Sequence, residues 1–291
     1  MAHPQIAAFA RLANGQTPPT RLIAGQATKL SRTMHDIRYD PIHDEIFVSN
    51  PFAQAILTFR GSADGEEAPI RIIQGSKTQL VDPDRLEVDP VHNEIFVPNQ
   101  AWSATAGGPQ PEESILVFRR EAEGNVAPIR VIKGPNTQLQ GIRAVAVDPV
   151  NNLLIAGTDL RKPGEQSGIL IFDRTADGDV KPLRIIRGPN TGIIRITQMQ
   201  VYSPGGWIVA SQPGRQNVQE PEGAFIGIWS IYDDGDVPPR WVLGGPKSRM
   251  KKPRGVALDP ENKELIVADM RANAVFTYYF PELFETKSRG E

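Results

Sequence analysis

Residues 114–157 read SILVFRREAEGNVAPIRVIKGPNTQLQGIRAVAVDPVNNLLIAG. An apolar run ending on Phe118 meets a turn signal at Gly124, a second apolar run opens on Arg130, and two alternating runs flank Asp148. Short β-branched runs punctuated by Gly, Pro, Asn and Asp are the signature of an antiparallel meander. The pattern recurs along the chain. Its aromatic anchors fall at Phe9, Phe59, Phe118, Phe172, Trp229 and Tyr278, in steps of 50, 59, 54, 57 and 49 residues. Self-similarity at such a period marks stacked supersecondary units.

Each of the first five anchors leads to a turn whose glycine, Gly15, Gly65, Gly124, Gly178 or Gly235, suits the positive φ of a tight hairpin. The return strands read RLIAG, RIIQG, RVIKG, RIIRG and RWVLG, opening on Arg21, Arg71, Arg130, Arg184 and Arg240. One column of arginines implies a shared structural partner. A polar connector then enters a short strand (DIRYD, RLEVD, AVAVD, QMQVY, GVALD), and a turn leads to EIFVSN, EIFVPN, LLIAGT, WIVASQ or ELIVAD.

Four short antiparallel strands repeated radially make a β-propeller. The chain is therefore read as one all-β domain over 1–291, with repeats from about 5 to 280 and a frayed tail over 281–291. Five copies of the first, second and fourth strands predict five blades, and six copies of the third keep six blades as the alternative. The N-terminal TRLIAG is expected to complete the blade begun by GVALD and ELIVAD, closing the ring by pairing the two chain ends.

The phrases PRGVALDPENKELIVAD and IRAVAVDPVNNLLIAG resemble NHL-type repeats and their YVTN-like bacterial relatives. The resemblance implies a propeller; it is specific for fold and weak for function. Relatives of this architecture include metal-dependent lactonases and lyases, which hold their metal with carboxylate, Asn or His side chains at the channel mouth.

Composition narrows the function further. The absence of cysteine excludes disulfides, thiolate catalysis and zinc–thiolate sites, and a net charge of −2 supplies no global field for nucleic acid. No apolar run is long enough to span a bilayer, and the chain is expected to be soluble, with its compartment open.

On the innermost strands, alternation assigns Ile37, Tyr39, Leu86, Val88, Val145, Val147, Met199, Val201, Val256 and Leu258 to the contacts between blades. The intervening Asp36, Arg38, Arg85, Glu87, Ala144, Ala146, Gln198 and Gln200 are expected to face a central channel. Asp36, Arg38, Arg85 and Glu87 can pair crosswise as a self-neutralising plug. Only Asp36, Glu87, His35 and Asp84 offer metal ligands there, too few for a ring of hard oxygen donors. No cofactor is expected.

Loops after the second strands are unequal: 100–113 carries Trp102, 159–167 carries Arg161 and Lys162, and 213–223 carries Arg215. Trp102 is either tucked against its blade or offered as an interface anchor. The connector KSRMKKPR adds Arg249, Lys251, Lys252 and Arg254 on the same face. Lacking interleaved aromatics, this basic group speaks against nucleic acid and reads either as a site for an acidic protein partner or as a solvated connector balancing acidic loops. The expected function is a non-catalytic interaction or assembly module using the loop-rich face; the alternative is a metal-dependent lactonase or lyase at the channel mouth.

Overall fold

A computed structural model describes residues 4–32, 34–100, 112–160, 164–215 and 223–288. The strands are β1 (Gln5–Ala8), β2 (Arg21–Ala24), β3 (Ile37–Asp40), β4 (Glu45–Asn50), β5 (Ala55–Arg60), β6 (Arg71–Gln74), β7 (Glu87–Asp89), β8 (Glu94–Asn99), β9 (Ser114–Arg119) and β10 (Arg130–Lys133). They continue with β11 (Ile142–Asp148), β12 (Leu153–Thr158), β13 (Gly168–Asp173), β14 (Arg184–Arg187), β15 (Gln198–Tyr202), β16 (Trp207–Pro213), β17 (Ala224–Ser230), β18 (Trp241–Gly244), β19 (Pro253–Asp259), β20 (Glu264–Asp269) and β21 (Ala274–Tyr279). Four sheets have four strands in sequential order, β3–β6, β7–β10, β11–β14 and β15–β18, and β19–β21 form a fifth of three. The fold is a five-bladed β-propeller of antiparallel sheets. The chain divides into two compact units, 1–111 with 115–131, and 112–114 with 132–291.

The expected closing pair takes another form. β2 pairs with β1, from Gln5↔Ala24 to Ala8↔Arg21, and the last sheet ends at β21. IAAF and VFTY thus do not compete for one place, because each is a third strand in its own sheet. The local partner wins on loop entropy, since closing a short hairpin orders far less chain than joining the two ends.

Four of the six aromatic anchors fill the space between sheets, while Phe9 is 54% exposed and Tyr278 partly buried. Phe59, Phe118, Phe172 and Trp229 are all buried, and burying a side chain of this size contributes roughly 1.5–3 kcal/mol. In the first unit, Phe47, Ile56 and Ile73 of one sheet pack against Leu86, Val88, Ile95 and Phe118 of the next. In the second unit, Ile155, Ile169 and Ile171 pack against Met199, Ile208 and Trp229.

Hairpin glycines do more than turn the chain. Gly65, Gly124, Gly178 and Gly235 form parallel bridges to Ile23, Ile73, Ile132 and Ile186, the third residues of the preceding fourth strands. The residue after each glycine then caps the connector that follows that strand: Glu66 accepts from Ala27 N (2.9 Å), Asn125 from Lys77 N (2.7 Å), Asp179 from Asn136 N (2.7 Å) and Asp236 from Asn190 N (2.8 Å). Gly134 shows why glycine stands under the cap: its φ is +118°, and a Cβ would lie 2.5 Å from Asp179 Cγ. The DGD and DGE turns are thus blade-to-blade fasteners.

The arginine column is real in four sheets and shifts by one in another. Register places Arg71 opposite Thr58, Arg184 opposite Ile171, and Trp241, not Arg240, opposite Ile228. The first residue of the second strand sets what the column needs. Glu45 receives Arg71 at 2.5 Å, Glu94 receives Arg130 through two bonds of 2.7 and 2.9 Å, and Trp207 packs edge-on to Trp241 at 4.8 Å. Arg184, in the sheet whose second strand opens on the apolar Leu153, instead donates to the Ile231 carbonyl at 2.8 Å.

Residues 281–288 are not frayed. Pro281–Glu285 form helix α1, with Leu283 fully buried. The Tyr202 hydroxyl donates to the Phe284 carbonyl (3.3 Å), Trp207 Nε1 to the Thr286 carbonyl (2.9 Å), and Ser288 N to the Gly205 carbonyl (2.8 Å). Its aromatic and backbone contacts, invisible to a periodicity count over so few residues, hold it against the fourth sheet.

Candidate functional site

Two clusters of charge stand out, one in each unit. In the first unit, Asp36 and Arg38 lie on the face of β3 whose register partner of Arg38, Phe47, packs toward the second sheet. Arg38 Nη1 donates to Asp36 Oδ1 at 2.9 Å, and Nε donates to Glu87 Oε1 at 3.1 Å, so one guanidinium joins both carboxylates. Arg85 Nη1 donates to the His35 carbonyl at 2.5 Å. Asp36 Oδ2 accepts from Leu86 N at 3.2 Å, and Glu87 Oε1 from Val88 N at 3.0 Å. Asp84 holds Nδ1 of the half-exposed His35 ring.

Burial governs the protonation of this group. It pushes the Glu87 carboxyl above its ordinary value, only partly opposed by Arg38. It also lowers Arg85, helped by the positive charge of Arg38 and opposed by Asp36. For Arg38, burial works against the charge, yet Asp36 and Glu87 outweigh it and hold its pKa above the ordinary value. The arrangement is a closed ionic network joining two inner strands.

Alternation was legible here, but not what each side faces. Ala144 and Ala146 are buried against Ile196, Met199 and Ile208 of the following sheet, so they do not line an open channel. Ile37 and Tyr39, expected between blades, are 45% and 58% exposed. The intervening positions of these strands pack toward the following sheet and not toward a lumen. Gln198 follows the same rule: its Oε1 accepts from Val256 N of the next inner strand at 2.6 Å. Gln200 is partly buried on the same strand.

In the second unit the loop entering β19 is organised by Asp269, the last residue of β20. Its Oδ2 accepts from Lys251 N (2.6 Å) and Lys252 N (2.7 Å), and its Oδ1 from Arg271 N (3.0 Å) and Ala272 N (2.8 Å). Other sheets place an amide in this column. Asn99 donates to the Gln79 carbonyl and accepts from Val81 N, and Gln212 donates to the Gly192 carbonyl and accepts from Ile194 N. A carboxylate can only accept, so the last blade turns two loop N–H groups inward where Asn99 and Gln212 each take one N–H and one carbonyl. The Lys252 ammonium is held below its ordinary pKa, first by burial and then by the positive charges of Arg195, Arg254 and Arg271.

The sequence-level candidates thus separate. Lys252 and Arg254 come together, joined by Arg195 and by Arg271, which the reading of the connector missed because it lies beyond the next hairpin; Lys251 is the exposed residue before them. Arg249 and Arg215 are exposed, and Arg249 takes φ +64° at the end of its 3-10 turn. Trp102, Arg161 and Lys162 lie outside the described residues. Among the described residues no three His, Asp or Glu side chains converge as a metal-ligand set. His43 and His92 serve their turns, each bonded through Nδ1 to the preceding Asp40 or Asp89 at 2.8 Å.

The geometry defines a five-bladed propeller whose chemistry-bearing groups form ionic networks. No family model matches the chain, and no curated protein matches it; of the expected resemblance the β-propeller fold is what is shown. Among solved structures, one in a nidogen/laminin complex is 11% identical with a TM-score of 0.59, covering 97% of this chain and 93% of that one. Hydrazine synthase of Kuenenia stuttgartiensis is 14% identical with a TM-score of 0.58, over 89% and 76%. A functionally unknown protein from Desulfotomaculum acetoxidans is 12% identical with a TM-score of 0.55, over 93% and 75%. These likenesses show the fold. No helix among the described residues is long and apolar enough to cross a membrane.

Proposed function

We propose that the protein is a non-catalytic interaction module and that the basic end of its last two blades binds an acidic segment of a protein partner. The observation that carries this reading is the gathering of Arg195, Arg254 and Arg271 around Lys252, whose ammonium is held below its ordinary pKa first by burial and then by their positive charges. Cations gathered at one end steer association with an anionic partner electrostatically. The nidogen/laminin structure supports the reading only in that a propeller of this fold occurs in a protein complex.

The test is a titration of the full chain with a fluorescent glutamate-rich decapeptide at low and at physiological salt. Saturable binding that weakens with salt and drops at least tenfold in Lys251→Glu/Lys252→Glu is expected. Circular dichroism should show an unchanged fold, because both lysines contribute backbone N–H groups to the Asp269 clamp. Binding that ignores both salt and the charge reversal would refute the proposal.

A further inference from the structure

A second surface follows from how each hairpin glycine fastens its sheet to the one before. Gly65 N donates to the Leu22 carbonyl (2.8 Å), and the Gly65 carbonyl accepts from Ala24 N (2.9 Å). Gly124 repeats this with Ile72 and Gln74 (2.7 and 3.1 Å), and Gly235 with Ile185 and Arg187 (2.7 and 3.0 Å). The residue before the glycine adds a carboxylate bond: Asp64 accepts from Leu22 N at 2.9 Å, and Asp234 from Ile185 N at 2.8 Å. The residue after it caps the connector, as Asp179 and Asp236 do for Asn136 N and Asn190 N. Two residues beyond the glycine, Val126 and Val237 pack against buried cores. A single acidic turn makes all of these contacts.

β18 has the same outer edge without such a turn. Register aligns Trp241 with Arg184, and hence Val242, Gly244 and Gly245 with Ile185, Arg187 and Gly188. After β21 the chain enters α1 where other sheets form the hairpin. Among the described residues Leu243 makes no bridge, and the N–H groups of Val242, Gly244 and Lys247 have no partner. An added Cβ on Gly188 would run into the Asp236 side chain, whereas one on Gly245 would meet nothing within 4 Å. The place a carboxylate fills in the neighbouring sheet is open here.

Charge and shape select what fits it. Arg240, Lys247 and Arg249 are exposed, and Arg240 lies over the Trp241 ring at 5.7 Å. Beside Val242, itself 57% exposed, runs a groove of about 400 Å³ lined by Trp241, Val242 and Leu243 and by residues 277–280. Cations and outward N–H groups call for an acidic turn, and the groove for an aliphatic side chain next to it. The chain's own turns at Gly65, Gly124, Gly178 and Gly235 are already engaged on their preceding strands.

We propose that the outer edge of β18 receives an Asp-Gly-Asp-Val turn from another protein. Its glycine bridges Leu243, donating to the Val242 carbonyl and accepting from Gly244 N. The first aspartate accepts from Val242 N, the second accepts from Lys247 N beside Gly245, and the valine enters the groove. Backbone groups fix the register, and charge-assisted bonds to the carboxylates supply the selectivity. The edge uses residues other than Arg195, Lys252, Arg254 and Arg271 and stands independently of the basic end.

The test uses a fluorescein-labelled, backbone-cyclised peptide of residues 173–183, DRTADGDVKPL, titrated into the full chain by anisotropy. Cyclisation holds the turn and lowers the cost of ordering it. Saturable binding is expected, weakened about tenfold by Asp179→Ala within the peptide, the effect of losing one charge-assisted bond. In the Lys247→Glu protein this aspartate preference should vanish. Gly244→Pro removes the N–H that meets the glycine and should abolish binding, and hydrogen exchange should slow at Val242, Gly244 and Lys247 when the peptide is bound to the unaltered protein. Absence of saturable binding, an aspartate preference that survives Lys247→Glu, or protection centred on Lys252 and Arg271 would each overturn the proposal. The last result would assign the peptide to the basic end, so the two sites fail separately. Should Gly244→Pro fail to fold, the peptide comparison and the exchange map on the unaltered protein still decide it.

Discussion

Replacing Arg38 with methionine should be among the most damaging changes to the first unit, because both of its carboxylate partners are buried. Arg38 is 8% exposed, Asp36 5% and Glu87 9%. Methionine fills much of the same volume, so the loss is chiefly electrostatic. Removing one partner of a buried ionic group costs about 3–5 kcal/mol, a large share of the roughly 5–15 kcal/mol that holds a domain folded. The pH dependence gives the argument its sign. The folded-state pKa of Glu87 is raised from 4.5, mainly by burial, so its contribution is fully present below the ordinary carboxylate range and is lost as pH rises through the raised value. Arg38 opposes that rise, and without it the pKa climbs further and the loss deepens. Urea unfolding followed by tryptophan fluorescence and far-UV circular dichroism should therefore show a penalty for Arg38→Met that is larger near pH 7.5 than near pH 4.5. The triple variant Asp36→Asn/Arg38→Met/Glu87→Gln should recover at least about 2 kcal/mol, because the stranded charges are gone. A penalty under about 1 kcal/mol, or one equal at both pH values, would refute the network as described.

The other fasteners make separable predictions. Glu94→Gln should cost about 1.5–3 kcal/mol by breaking the bidentate pair with Arg130, whose side chains are 18% and 11% exposed. Arg60→Ala, from a pair that is 60% exposed at the arginine, should leave the unfolding midpoint unchanged. Gly134→Ala should destabilise more than Gly65→Ala: both take positive φ, but only Gly134 would drive its Cβ into Asp179, and comparing their thermal midpoints checks the order. Leu283→Ala should cost about 2–4 kcal/mol and reduce the near-ultraviolet signal, because it empties a fully buried place beside Trp207 and Trp241.

Much of this fold was legible because a repeat displays its own alignment. The hairpin glycines and the turn aspartates fell in columns, and five first strands counted five blades. What escaped was whatever depends on the neighbouring sheet. Arg240 looked like a member of the arginine column, and only the register with Ile228 shows that Trp241 holds that place. Ala144 and Ala146 looked like lumen residues because alternation separates two faces without saying what either face meets. Asp269 ends ELIVAD as asparagine ends EIFVSN, yet the change from a two-way amide to an acceptor-only carboxylate replaces the loop carbonyl contact with a second N–H. The same carboxylate also takes the Arg271 N–H, and Arg271 lies too far along the sequence for a local charge count to gather it with Lys251 and Lys252.

The same logic separates structural departures from functional ones. Where Glu45 becomes Trp207, the column partner changes with it, from arginine to tryptophan, and the pair is preserved by packing in place of charge. A compensated departure of this kind keeps the blade intact and needs no function to explain it. The fifth sheet departs in another way: among the described residues it ends at β21, and α1 follows its third strand. The basic end keeps the Asp269 clamp and gathers Arg195, Arg254 and Arg271 around Lys252. Function in a repeat protein is best sought where a column changes and its partner does not follow, because folding alone gives no reason to retain the mismatch.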